Sequence, residues 1–342
     1  MLRIGLIGAG GMGWYHAKNI ASLGNARIAG IYEPDAGRRG EAVKVADGAR
    51  VFGSPESLIG DPEIDAVLVC SPDATHAALV NECLSVKKPV LCEKPLAAER
   101  GDIEGIIARE NALGKKYIAV GFNRRFDPSH AEVYRQLRSG SLGKPLLWKG
   151  VHRNASAMYN TQGPFILMNS AGHDIDSARW LLQSDVRAVS VKGRASRETL
   201  PAGSRDCLLV TMEMANGTLA CAEVYVNCAY GYEVIAEVVC QTGTVTTLKD
   251  GLALRRQQGN RGVSVSDDFR ACFALSYALE AEAWIQSVRG GHPFPGADAW
   301  DGYAAVAGAL ACGESLTEQK EVTVTMMAKP DLYIREEHEL SG

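Results

Sequence analysis

Long apolar runs are absent from this chain. The longest are of strand length, so no membrane span is expected. Positive charge is in short supply too. Lys and Arg number 36 against 40 Asp and Glu, the formal net charge is −4, and no basic cluster stands out. That balance speaks against a nucleic-acid surface. C-x-x-C spacing is also missing. The nine cysteines are Cys70, Cys83, Cys92, Cys207, Cys221, Cys228, Cys240, Cys272 and Cys312. An odd number without paired spacing suggests neither a disulfide framework nor a zinc site, and no metal is expected. Most sit in apolar strand or helix patterns as small core residues, and a cytoplasmic location suits them. The opening "MLRIGLIGAG" has no polar spacer, long apolar core or cleavage site, so it reads as a strand and not as a signal peptide. There is no internal repeat, low-complexity segment or Gly/Ser-rich linker.

What is present is enough apolar material, 46% of 342 residues, for two domains. The first third alternates strand-length runs with helical spacing. Strands are expected at 3–8, 27–32, 65–70, 89–92 and 116–122, and helices at 12–23, 75–86 and 102–113, with another following the second strand. "DAVLVC" (65–70) is nearly all apolar, as in a strand covered on both faces. Such alternation predicts a doubly wound parallel sheet, an α/β Rossmann domain over 1–122. After that the period changes. A helix through "PSHAEVYRQLRSG" precedes runs of period near two at 205–214, 218–230 and 232–242, joined by turn signals. These predict an α+β domain over 123–342 with a large, open, mostly antiparallel sheet. Helices at 269–288 and 299–316 are expected to pack back on that sheet.

"GLIGAGGMG" contains G-x-G-x-x-G at Gly8, Gly10 and Gly13. The pattern alone is weak, but here it follows a strand and opens a helix. The first glycine permits the tight turn, the second lets backbone approach a pyrophosphate, and the third lets helix and strand pack closely. The helix N-terminus offers N–H groups and a positive dipole end to phosphates. Glu33 stands 20 residues beyond Gly13, at the end of the second strand, where a carboxylate attracts a ribose 2′-OH and repels a 2′-phosphate. NAD is therefore expected over NADP, although Arg38 and Arg39 follow closely and could cradle a phosphate.

Two further stretches carry chemistry. "CEKPL" (92–96) places Glu93 and Lys94 after an apolar run and stiffens them with Pro95. The plain reading is a turn. The sharper one is that Lys94 is presented at the carboxyl end of a strand, where α/β sheets bind ligands. Oxidising an alcohol needs a base for the hydroxyl proton and a donor beside the oxygen. Lys94 can serve both needs. In "NSAGHDIDSARWLL" (169–182), His173 and Asp176 share a helical face, with Asn169 four residues before the histidine. Their plain readings are a satisfied core histidine and a helix-surface carboxylate.

These motifs, with Trp180-Leu181, resemble the glucose-fructose oxidoreductase / inositol dehydrogenase / rhizopine-catabolism family (Gfo/Idh/MocA). "GFNRRFDP" (121–128), "HRN" (152–154), "YVNCAYGYEV" (225–234) and "AWDGY" (299–303) look most like its inositol 2-dehydrogenases, over residues 2 to about 325. The resemblance implies that Lys94 touches the reacting hydroxyl, that His173 exchanges its proton, and that Asp176 binds a ring hydroxyl. It places Arg124, His152, Asn154, Tyr232 and Tyr277 around a polyol. The expected cofactor-binding set is Gly8, Gly10, Gly11, Met12, Gly13, Glu33, Ser71, Pro72, His76, Glu93 and Lys94. The chain departs from the pattern at Asn169, where such enzymes carry an Asp that orients the histidine. Asn can orient the ring but brings no charge, which shifts weight towards Lys94.

The expected activity is NAD-dependent oxidation of a ring hydroxyl, with myo-inositol first and scyllo-inositol or an aldose as alternatives. From other classes, an NAD-dependent glycosidase would turn over glycosides without net NADH, and a non-catalytic sensor would have lost Lys94 and His173. Apolar residues on both faces of the expected antiparallel strands, Val224, Val226 and Cys228 against Leu219, Cys221 and Tyr225, predict a homo-oligomer, a tetramer over a dimer.

Overall fold

The structure is a computed structural model that describes residues 1–157, 160–248 and 254–334. Residues 335–342 of the expected second domain lie outside the described residues. The chain forms two compact units. The first holds residues 1–122, 278–303 and the described residues from Met326 on; the second holds 123–277 and 304–325. A single cut after residue 122 therefore does not describe the chain, because later segments return to the first unit.

The first unit is built on strands β1 (Leu2–Ile7), β2 (Ala26–Tyr32), β3 (Arg50–Val51), β4 (Ala66–Val69), β5 (Val90–Cys92) and β6 (Ile118–Val120). All pair in parallel, in the order β6-β5-β4-β1-β2-β3, and the short strand Ala297–Asp298 adds antiparallel to β6. Five strands fall within two residues of their expected positions. β4 is buried throughout, as its unbroken apolar run requires. The chain runs β1 to β3 on one side and β4 to β6 on the other. The switch between β1 and β4 is where such sheets leave a crevice at their carboxyl ends. Ala281, Trp284 and Ile285 are fully buried in the same core as Ile4, Ile20, Ile31 and Leu68. The expected packing of this helix on the antiparallel sheet is thus corrected: from Ala278 on it belongs to the parallel-sheet unit.

The second unit contains β7 (Pro145–Arg153), β8 (Val186–Arg194), β9 (Cys207–Met214), β10 (Leu219–Tyr225), β11 (Glu233–Cys240) and β12 (Thr244–Thr246). The sheet order is β12-β11-β7-β10-β9-β8, closed by Val322–Thr323, with only the β7–β10 pair parallel. β7 and β8 were not anticipated, since "PLLWKGVHR" mixes a glycine and charges into its alternation. β7 nevertheless lies inside the sheet, with Trp148, Gly150 and His152 on its buried face. The buried faces of β9, β10 and β11 carry Leu208, Val210, Ala222, Val224, Val234 and Ala236. Their other face is mixed: Leu209 and Leu219 are about half exposed, and Arg153 pairs with Glu223 and Glu233.

Candidate active site

In the first unit the nucleotide fingerprint follows β1. Gly8 has φ +86°, and a Cβ there would lie 2.5 Å from the Ser71 nitrogen. A Cβ on Gly13 would lie 1.9 Å from the Gly8 carbonyl oxygen, so both positions demand glycine. Gly10 caps the helix Gly11–Ser22 without a side-chain hydrogen bond, and the first turn carries no acid. A Cβ on Gly10 would meet nothing within 4 Å. An uncapped, acid-free N-terminus beside open space fits a pyrophosphate.

Glu33 is nearly buried and built into this turn. Its Oε2 accepts from the Ala9 N–H (2.7 Å) and its Oε1 from the Asp35 N–H (3.0 Å). Each oxygen keeps a further lone pair for a ribose hydroxyl. Arg39 donates instead to the carbonyls of Glu33 and Pro34 (2.7 and 3.3 Å), and the Arg38 N–H is taken up by Asp35 (2.8 Å).

The loops after β4 and β5 complete this half. Ser71 Oγ and Thr75 Oγ1 lie 2.6 Å apart, and Pro72 is exposed beside them. His76 is 1% exposed, with Nδ1 2.7 Å from the Pro95 oxygen and Nε2 2.8 Å from the Ser71 oxygen. Both ring nitrogens are committed to the loops, so His76 braces them and does not present a nitrogen to a cofactor. Glu93 likewise points inward. Its Oε1 lies 2.8 Å from His16 Nε2, and its Oε2 accepts from the Lys94 N–H at 3.2 Å. Burial works to raise the Glu93 carboxyl. The His16 hydrogen bond and charge, with Lys94, offset it and hold the group below its usual range. Lys94 itself is half-buried, and its peptide bond to Pro95 is cis.

In the second unit the turn Asn123–Phe126 and the helix Gly172–Leu182 meet through charges. Arg124 Nη1 donates to Asp174 Oδ1 (2.6 Å), and His152 Nδ1 lies 2.9 Å from Asp174 Oδ2. Arg124 Nη2 is 3.1 Å from that same His152 nitrogen. The carboxylate can only accept, so the Nδ1 proton belongs to the Asp174 contact. Burial would raise the Asp174 carboxyl; Arg124 and His152 together hold it low. Arg125 grips Asp176 with two bonds, Nε to Oδ2 (3.1 Å) and Nη2 to Oδ1 (2.5 Å). All four of these charged residues are at least 92% buried, so reading Asp176 as a surface carboxylate is corrected.

The His152 ring stands 6.0 Å from that of Tyr232 and 6.5 Å from that of His173, edge to face in both cases. Tyr232 also bonds Arg124, and burial raises its hydroxyl pKa. Tyr277 is buried against Phe269 (6.4 Å between rings). Asn154 has its N–H on the Tyr225 oxygen (2.9 Å), while its buried Oδ1 accepts no hydrogen bond among the described residues. Residues Leu167–Ala171, which include Asn169, form a π-helical turn, and the α-helix that carries His173 begins at Gly172. The Asn169 amide bonds back to the Phe165 oxygen at 3.4 Å.

Sequence reasoning missed His16, Arg125 and Asp174 as parts of the site. Arg125 and Asp174 stood inside quoted motifs, but nothing in their spacing announced the pairing. His16 falls within the helix expected at 12–23, and nothing in the sequence sets it apart there.

Residues 2–122 match the oxidoreductase family with an NAD-binding Rossmann fold, and residues 130–246 match the GFO/IDH/MocA C-terminal domain. Over 97% of its length the chain is 40% identical to inositol 2-dehydrogenase 1 of Saccharopolyspora erythraea, spanning 99% of that protein. It is 37% identical to the inositol 2-dehydrogenase of Rubrobacter xylanophilus, covering 98% of this chain and 96% of the relative. Among solved structures, the myo-inositol dehydrogenase of Lactobacillus casei, crystallised with NAD(H) and myo-inositol, superposes with a TM-score of 0.93. Identity is 30%, over 98% of this chain and 100% of that one. The chain belongs to the GFO/IDH/MocA family of oxidoreductases.

Proposed function

We propose that this family member is an NAD-dependent dehydrogenase of a cyclic polyol, and that it oxidises myo-inositol to its 2-keto product. The observation that carries this reading is the polar lining of the second unit. Arg124, His152, Asp174 and Tyr232 form one buried network, and the Asn154 Oδ1 remains a buried acceptor with no partner among the described residues. A substrate with a hydroxyl on every ring carbon suits such a lining, and a lining of this kind discriminates strongly against analogues lacking those hydroxyls. The named relatives and the Lactobacillus casei enzyme support the same substrate class.

Bound NAD supplies the hydride acceptor. The turn at Gly8, Gly10, Gly11, Met12 and Gly13 holds its pyrophosphate through backbone N–H groups, and Glu33 accepts from a ribose hydroxyl. Lys94 donates to the reacting oxygen as carbonyl character develops, and His173 removes the hydroxyl proton. Arg124, His152, Asn154, Tyr232 and Tyr277 bind the remaining ring hydroxyls. Asp176, oriented by Arg125, keeps lone pairs for another. The deciding experiment is a panel of inositols, aldoses and glycosides with NAD and NADP, followed by NADH absorbance. myo-Inositol should give the highest kcat/KM. A preference for scyllo-inositol or an aldose, to which Asn169 in place of Asp lends some support, would redirect the substrate. Glycoside turnover without net NADH would replace the reaction, and no turnover of anything would favour a sensor.

The protein is further proposed to be cytoplasmic and tetrameric. All nine cysteines are free thiols, which fits a reducing compartment. No helix among the described residues is long and apolar enough to cross a membrane. Leu146, Leu209 and Leu219, each about half exposed on the second unit's strands, give that sheet an apolar component suited to another copy. Light scattering at micromolar concentration should return four times the chain mass; a monomer would refute the assembly.

A further inference from the structure

We infer that His16 is a positioning residue for Lys94, acting through the Glu93 carboxylate. The inference rests on the reading of Lys94 given above. His16 lies on Gly11–Ser22, the helix whose N-terminus faces the pyrophosphate, and its side chain is 1% exposed. Nothing in the nucleotide fingerprint requires a histidine there. Its Nε2 reaches a carboxylate from a different element, Glu93, at 2.8 Å, and donates, since an ionised carboxylate has no proton to give. Glu93 is in turn fixed at both ends. Its N–H donates to the Val69 oxygen (2.9 Å), and its Oε2 accepts from the Lys94 N–H. Gly121 crowds the same carboxylate: a Cβ there would lie 3.1 Å from Oε2. The Lys94 backbone thus hangs on a carboxylate that His16 holds from the other side. The helix that docks the nucleotide and the loop that presents the ammonium are joined by one charge-assisted bond.

Breaking that bond leaves a buried carboxylate short of a donor. The least costly response is for Glu93 to turn away and release the Lys94 N–H. A displacement of about 1 Å in a reacting group costs on the order of a hundredfold in rate. The cost should fall on the chemical step, because the pyrophosphate is held by backbone groups at the helix N-terminus and not by the His16 side chain.

The test uses the full-length protein with NAD and myo-inositol. His16→Leu keeps the bulk and removes the donor. His16→Gln places an amide N–H near the position of Nε2, whereas the shorter His16→Asn does not reach. In His16→Leu, kcat should fall about tenfold to a hundredfold, with the Kd for NAD by calorimetry within about threefold of wild type. The deuterium isotope effect on kcat, with substrate deuterated at the reacting carbon, should rise as chemistry becomes limiting. His16→Gln should restore most of the rate and His16→Asn should not. Equal activity in Leu and Gln variants, or a loss confined to NAD affinity, would overturn the inference. If His16→Leu does not fold, the Gln-against-Asn contrast carries the test alone. Lys94→Met, run in parallel, separates the two claims. An active Lys94→Met sinks the reading of Lys94 itself. An inactive Lys94→Met beside a fully active His16→Leu sinks only the link.

Discussion

The two units hold their sites by different means. The parallel-sheet unit uses backbone: a positive-φ turn at Gly8, an uncapped helix N-terminus at Gly10, and loop N–H groups that fix Glu33 and Glu93. The antiparallel unit uses side chains: Arg124 with Asp174 and His152, and Arg125 with Asp176, all deeply buried. Backbone can approach a ligand only where side chains are missing, so such a site leaves a gap in the sequence that spacing reveals. A side-chain network is assembled from residues 22 to 51 positions apart and leaves no local trace.

The contrast can be broken or sharpened by measurement. The largest effect is expected at Lys94, the side chain of the backbone-built unit proposed to touch the reacting hydroxyl. Lys94→Ala should lower kcat by about two to three decades, what the loss of one donor to the reacting oxygen costs, while the Kd for NAD stays near wild type. Retention of activity would leave the first unit a pure nucleotide cradle.

Next comes Asp174→Asn. Removing this carboxylate leaves Arg124 buried without its counter-charge, a loss of about 3 to 5 kcal/mol when a buried pair is broken. Chemical denaturation should show it. By contrast Glu33→Ser, at a carboxylate held by N–H groups alone, should change stability far less. If Asp174→Asn melted like wild type, the network would be dispensable and the contrast would fail.

Glu110 tests the contrast from the other side, because it is a buried carboxyl inside the backbone-built unit. It accepts from the N–H groups of Tyr117 and Ile118 and from the Tyr333 hydroxyl (2.6, 2.8 and 2.6 Å). Burial pushes its pKa up to about 7, against those hydrogen bonds. A group raised on folding favours the folded state fully below its unfolded pKa, and that contribution is lost as pH rises through the folded value. Stability should therefore fall between about pH 4.5 and pH 7.5, by on the order of 3 kcal/mol. Glu110→Gln should flatten the dependence. A wild-type profile flat over that window would show that Glu110 is already ionised in the folded protein.

The smallest effect concerns Glu33. NAD should exceed NADP in kcat/KM, and Glu33→Ser should narrow the gap by about tenfold, since it removes one repulsive charge from the 2′-phosphate. An unchanged ratio would move the discrimination to Arg38 or Arg39.

The chain's own order of residues determined the Rossmann half almost completely. Alternating apolar runs, G-x-G-x-x-G and an acid 20 residues beyond it are local, and a parallel sheet with a glycine turn is their direct consequence. It also named most of the polar residues of the second half, through motifs whose members are neighbours in sequence. Three things were decided only by tertiary structure. Residues 278–303 returned to the first unit because Trp284 and Ile285 find their core there, and helical spacing specifies an apolar stripe but not its partner. Asn169 sits in a π-turn at 167–171, a wider winding that a 3.6-residue period does not announce. And the charges of Arg124, Arg125, Asp174 and Asp176 acquired their partners only when folding removed water from them. In water each would be satisfied alone; in the interior a charge without its counterpart is too costly to keep.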